Sequence, residues 1–403
     1  MKVRRRKGMN NLISRIDKDE LAARAVFLGN VNRPLDFDGI KPDCKDHVHV
    51  VVMGADRRML FMLRQAALLA HYLNFDDESG VNRTVLTIVD SSAKNMDDLI
   101  TLKSRIDSAG YLSNLTKVCP WSCEMWNGKK ESVNQAHSYI DINLRIVGLG
   151  NMSMNDFMVD LLNADEHQRV TMVAYKDILE NIKVNKEIIH TKCFQKYEVP
   201  RTDVTYGNDD EIMNLRAAKK ISAIYHFSKY LGDIKACDID NVYRYSQAIK
   251  IFANNTKDKD LEKIWDKQED IRLVLSNVYC ADGIQPKIRG FKCDTPNELQ
   301  EIVCSNLKQF AKCEHSRWTV EKLILGFREW NVQESYEYEF LYGSEAKDYK
   351  ERKKKEESAH IDICSNRTLR RIDLESVKYD NFFMLAIPYI VSFRQGNGPI
   401  QRL

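Results

Sequence analysis

The chain has 403 residues, 43% hydrophobic and 30% charged, with 17 glycines and 8 prolines, a balance that excludes disordered, collagen-like and fibrous classes. Its length leaves room for two domains or three small ones. A net charge of +3 gives no argument for nucleic acid as a partner beyond a local patch, and ten scattered cysteines do not make a disulfide scaffold. Cys119 with Cys123 is the only close pair, without a second pair at zinc-site spacing.

In chain order, residues 1–45 read as an amino-terminal arm with a short helix around Asp17 to Ala25. Its basic cluster, Arg4 to Lys7, is either solvated or in touch with anionic lipid or nucleic acid. The basic start lacks the continuous apolar core of a signal peptide, and no stretch approaches about 18 uncharged apolar residues, so a reducing cytoplasm is the expected compartment. Residues 46–205 alternate strand and helix patterns. His47 to Gly54, Arg83 to Asp90, Asp141 to Gly150 and Arg169 to Asp177 are β-rich runs, while Arg57 to Asn74 and Met154 to Ala164 repeat apolar residues at helical spacing. Asp76 to Asn82 reads as a loop. This order predicts an α/β protein built on a Rossmann-like, doubly wound parallel sheet. Helical periodicity then takes over, in a connecting region over 206–295 and a mostly α-helical domain over 296–395. Glu211 to Leu231, Val242 to Asn254 and Glu298 to Phe327 carry it, and the charge run Tyr349 to Glu357 reads as a solvated loop or helix end.

The first strand-to-helix turn decides what the βαβ unit can bind. A dinucleotide turn needs three glycines, for the turn, for the approach of the pyrophosphate and for helix packing. Here that register holds Gly54, Asp56 and Met59. Asp56 fills the space where backbone should meet phosphate and brings a negative charge to it, so NAD in its ordinary pose is not expected. Arg57 and Arg58 follow, and either bind a different phosphate through their guanidinium forks or stand solvated beside an Asp56 N-cap. Asp90 ends the second strand, where a ribose-binding acid would sit. Gly148 and Gly150 form an isolated Gly-x-Gly that reads as a turn.

In the carboxy-terminal part, Glu314, Trp318 and Lys322 fall at i, i+4 and i+8, so an acid, an indole and an amine share one helix face. That face suits either an amphipathic small molecule or a half-buried helix with a surface ion pair.

The stretch EHSRWTVEKLILGFR is similar to the Glu-His-x-x-Trp…Lys…Gly-Trp pattern of the RyR domain, the ryanodine-receptor repeat also found in bacterial proteins. Ala359 to Val391 resembles that domain's second half, with His360, Asp380 and Pro388 matching. Phe327 stands where the family has the Trp of its Gly-Trp pair after Gly326. The amino-terminal half resembles the TrkA-N type of Rossmann domain through HVVVMG, RQAALLAHYLN and TVLTIVD. Together the resemblances cover most of residues 47–391. They imply a non-enzymatic sensor or regulator binding a nucleotide-like ligand through Glu314, His315, Trp318, Lys322, Gly326 and His360, with Gly54, Asp56, Arg57, Arg58 and Asp90 as a second candidate site. TrkA-N domains regulate potassium transporters and channels. No channel segment is read in this sequence, so such a link would run through a separate membrane protein or an operon partner. The alternatives are a scaffold in a bacterial stress, ion-transport or phage-defence system, and a nicotinamide-dependent or nucleotide-hydrolysing enzyme using Glu314 and His315. Ligand identity and a homo-oligomeric state stay open.

Overall fold

The structure, a computed structural model, describes residues 16–28, 35, 39–127, 136–184, 193–201, 214–228, 239–268 and 270–391. The basic cluster Arg4 to Lys7 lies outside these residues. Six parallel strands form the main sheet: β1 (His47–Met53), β2 (Thr84–Asp90), β3 (Ser122–Met125), β4 (Ile142–Gly148), β5 (Gln168–Ala174) and β6 (Cys193–Glu198), in the order β3-β4-β2-β1-β5-β6. β1 lies inside the sheet, with Val50 opposite Leu86 on one side and Thr171 on the other. After His47 its residues are buried on both faces, and the one buried polar residue among them, His49, is bonded to Thr87 at 2.7 Å.

Successive β1 side chains enter different cores. Val48, Val50 and Val52 pack with α2 (Arg57–Leu69) and α3 (Met96–Ala109), whereas Val51 and Met53 meet Phe157 and Leu161 of α5 (Met154–Asn163). The sheet is therefore doubly wound, as its alternating pattern predicts. α2 ends five residues before the predicted Asn74. The chain after it is pinned instead, with Thr84 Oγ1 donating to the Ala70 carbonyl at 2.8 Å and Asn74 donating to the Cys44 and Asp46 carbonyls.

The short helix expected in the amino-terminal arm is present. This helix, α1 (Lys18–Leu28), is packed rather than free, with Ala23 and Arg24 having no exposed surface. Arg24 reaches Asp282 at 2.6 Å, and Glu20 meets Arg64 and the Tyr279 hydroxyl at 3.0 Å each.

The helical half follows. Two short helices, α4 (Leu115–Val118) and α6 (Lys176–Glu180), flank α5 in the described residues of the first half. After them come α7 (Leu215–Ser228), α8 (Ile239–Asn255), α9 (Asp258–Trp265), α10 (Ile271–Asp282) and α11 (Ile284–Ile288). The stretch Glu298 to Phe327 divides at Asn306 into α12 (Pro296–Ser305), capped by Thr295, and α13 (Leu307–Ile324). Then come β7 (Arg328–Glu329), α14 (Val332–Glu339), α15 (Gly343–Glu356), β8 (Ala359–His360), α16 (Asn366–Ile372) and α17 (Leu374–Ile390). Ile221, Val278, Leu299, Phe310 and Leu385 share this half's core, while Val320, Leu323 and Ile324 of α13 join the core beneath the sheet's helices. Among the described residues no helix is long and apolar enough to cross a membrane, and the cysteines are free thiols.

Candidate functional site

Two places bring predicted residues together. The first lies at the carboxyl ends of β1 and β5, where the strand order reverses and open α/β sheets receive ligands. Gly54 has φ +104°, a conformation that suits glycine, and its amide donates to the Val89 carbonyl at 2.9 Å. Asp56 is the N-cap of α2, accepting from the Met59 amide at 3.1 Å. Arg57 and Arg58 are both ion-paired, although the Arg57 side chain stays 57% exposed. Arg57 pairs with Asp17 and Asp19, and Arg58 pairs with Asp19 at 2.7 Å while donating to the Pro200 carbonyl at 2.6 Å. The acidic start of α1 thus occupies the guanidinium forks. Asp90 accepts from the amide and hydroxyl of Ser92 at 2.8 and 2.6 Å, a local turn. Gly148 is tightly packed, since a Cβ there would lie 2.7 Å from Met125 Sδ, and Gly150 makes a turn at φ +57°.

The second place is a cleft of about 1010 Å³ in the helical half, walled by α7, α10, α13, α15 and α17. Small-molecule sites commonly occupy roughly 300–1,000 Å³, so its size suits a whole ligand. Glu314, His315, Trp318, Lys322 and His360 all line it, together with Phe327. Gly326 does not. It is the left-handed residue, at φ +89°, that ends α13, with Gly326 N donating to the Leu323 carbonyl at 3.1 Å and Phe327 N to the Lys322 carbonyl at 2.9 Å. This is a Schellman cap, and it turns Phe327 back toward the cleft.

Glu314 and His315 point to different partners, as adjacent helix residues must. Glu314 accepts from Arg317 at 2.7 and 2.9 Å and lies 3.1 Å from Lys287 Nζ. Burial opposes its ionisation, but Arg317 and Lys287 outweigh burial and hold the carboxyl at about 2. Arg317 also bonds Glu321 at 2.7 Å, and Glu321 accepts from Lys322 at 2.7 Å. His315 sits between the Cys364 carbonyl, 2.9 Å from Nε2, and Asp380, 3.3 Å from Nδ1. The Cys364 carbonyl accepts from Nε2 and the Asp380 carboxylate faces Nδ1, an arrangement that favours the imidazolium. Burial opposes that charge, yet the bonds to Asp380 and Cys364 raise its pKa well above the usual histidine value. Neither group stands free to shuttle a proton to a ligand.

Trp318 is half-buried rather than an open stacking plane. Lys322 Nζ lies 5.4 Å from its ring centre, His315 runs nearly parallel to it at 6.1 Å, and His360 meets it edge-on at 4.9 Å. His360 Nδ1 accepts from the Asp362 amide at 3.3 Å, which places the neutral ring's proton on Nε2. Burial, followed by the charges of Lys354, Lys322 and Lys350, pushes its pKa well below the usual value.

The sequence reading missed three contributors. Lys350 and Lys354 of α15 line the cleft from within the run read as a solvated loop or helix end. Their signal was present as spacing: Lys347, Lys350 and Lys354 fall at i, i+3 and i+7. Tyr225, on a helix read only as a connector, is exposed into the cleft and packs on Tyr379 at 5.0 Å and Phe383 at 6.0 Å. Among the described residues, no His, Cys, Asp and Glu cluster could hold a metal ion. Comparison of the chain with protein families, curated proteins and solved structures found no match.

Proposed function

We propose that this chain is a non-enzymatic sensor or regulatory protein that binds a nucleotide-like ligand in the cleft of its helical half. The observation that carries this reading is convergence: His315, Trp318, Lys322 and His360, singled out from one motif and one downstream histidine, line a single cavity of ligand size. That cavity combines aromatic surface with amines, the pairing that recognises a ring bearing an anionic tail. The locked ion pairs of Glu314 and His315 favour binding over acid–base chemistry. The resemblance to RyR and TrkA-N domains points the same way, toward ligand sensing coupled to a separate membrane protein or an operon partner. At the Rossmann turn, the pairing of Asp17 and Asp19 with Arg57 and Arg58 supports a structural role for that domain.

A thermal-shift panel of NAD, NADP, ATP, ADP-ribose and cyclic nucleotides tests the reading. A ligand at about 100 times its dissociation constant adds roughly 2.7 kcal/mol to stability. Tyr225→Ala should reduce that shift, because it removes an exposed stacking surface worth about 0.5–1.5 kcal/mol. A panel in which no member moves the transition would sink the proposal.

A further inference from the structure

We propose that the wall formed by Lys322, Lys350 and Lys354 around His360 is a phosphoryl subsite, taking the phosphate or diphosphate of a nucleoside whose ring lies against Tyr225 and Tyr379. The inference rests on the ligand reading above and adds which end of the ligand goes where.

Three elements build the wall. Lys322 comes from α13, Lys350 and Lys354 from successive turns of α15, and His360 from β8 beneath them. The acids around it are already engaged. Glu321 is bonded to both Arg317 and Lys322, and Glu351 lies 3.4 Å from Lys355. Asp362 accepts from Ser376 Oγ at 2.6 Å and lies 3.5 Å from Lys350, which also pairs with Asp373. Lys354, in contrast, takes part in no ion pair or hydrogen bond among the described residues, although it is half-buried. Its amine is pushed below the ordinary lysine value by burial. Glu351 and Asp362 counter that, and Lys322 and Lys350 add to it.

His360 supplies the second, independent sign. The ring is more than nine-tenths buried, its Nδ1 is used by the Asp362 amide, and its Nε2 has no hydrogen-bond partner among the described residues. A neutral N–H donor facing the unpaired Lys354 amine, with the already paired Lys322 and Lys350 amines acting on the same ring, is poised for an acceptor of high negative charge. A phosphoryl group offers several oxygens, enough to meet the Lys354 amine and His360 Nε2 and to share Lys322 and Lys350 with the acids they already bond. The aromatic end belongs to the same space, since Tyr225 and Tyr379 line the cleft together with Lys350 and Lys354.

The experiment uses the full chain, with adenosine, ADP and inorganic pyrophosphate as probes in titration calorimetry at two salt concentrations. ADP is expected to bind at least about tenfold more tightly than adenosine, with an advantage that shrinks as salt rises, and pyrophosphate is expected to compete with ADP. Lys354→Gln, which keeps most of the stem, should cut ADP affinity about tenfold and leave adenosine unchanged. In the wild type, ADP should raise the pH at which the His360 ring titrates by NMR, because the anion offsets the three ammonium charges. If ADP binds no better than adenosine, or if Lys354→Gln binds ADP like the wild type, the phosphoryl subsite is overturned while the cleft reading stands. Failure of all three probes, together with the nucleotide panel, would remove both.

Discussion

Arg317→Met should be the most damaging single change in the helical half at neutral pH. Arg317 is 1% exposed and bridges two carboxylates, Glu314 and Glu321, that are themselves essentially inaccessible. Methionine keeps the apolar volume and removes the charge, leaving Lys287 and Lys322 as the only cations bonded to two buried acids. Glu314 gives one measure of the cost. Its pKa is moved from 4.5 to about 2, and at about 1.4 kcal/mol per pKa unit this corresponds to roughly 3 kcal/mol of stabilisation. Stripping one partner from a buried ion pair typically costs about 3–5 kcal/mol, so two routes lead to the same scale. The sign with pH follows. In the wild type the folded carboxyl is held below its unfolded value, so its contribution is complete above about pH 4.5 and is lost as pH falls through about 2. In the variant the under-compensated carboxyls titrate higher, and protonation relieves them. Urea unfolding at pH 7 should therefore show a loss of about 3–5 kcal/mol that narrows steadily toward pH 4. A loss below about 1 kcal/mol, or one independent of pH over that range, would refute the reasoning.

Three further expectations follow from particular contacts. At Gly39, φ is +81° and a Cβ would stand 2.0 Å from the Gly290 amide nitrogen, so Gly39→Ala should lower the melting temperature far more than Gly110→Ala, where φ is +71° but nothing lies within 4 Å. Only the left-handed backbone cost of about 1–2 kcal/mol applies at Gly110. By NMR at pH 6.5, His360 should be mostly neutral while His315 is mostly protonated. His360 then destabilises the fold as pH drops below its unfolded value near 6.5, and His315 contributes stability that is lost as pH rises through its raised value. Asp56→Ala should cost about 1 kcal/mol in thermal unfolding by deleting the α2 cap, whether or not the turn binds a ligand.

The parallel sheet was legible because its central strands are buried on both faces, so HVHVVVM and TVLTIVD read as apolar β-branched runs. The edge strands were not. SCEM and CFQKYE mix polar with apolar residues because β3 and β6 are each covered on one side by a single neighbour and keep partly exposed positions. The α13 motif could be placed on a helix face by spacing alone, but spacing could not tell that Glu314 would be spent on Arg317, three residues on, and Lys287 from a distant helix. The lysine wall was hidden for another reason. In GSEAKDYKERKKKE charge masks periodicity, since a face turned toward a polar cleft carries no apolar stripe. The same limit applies to α1, whose buried Arg24 looks like a surface residue until Asp282 is brought to it.

That last contact joins parts of the chain made far apart in time. Arg24 and Asp282 are separated by 258 residues, which at about 5–20 residues per second is an interval of roughly 13–50 s on the ribosome. During it, α1 can settle through Asp19 and Glu20 on Arg58 and Arg64 of the early-made α2, but the carboxylate that neutralises Arg24 does not yet exist. The buried charge of α1 therefore finds its partner only once the helical half has emerged, so the docking of this helix is completed late.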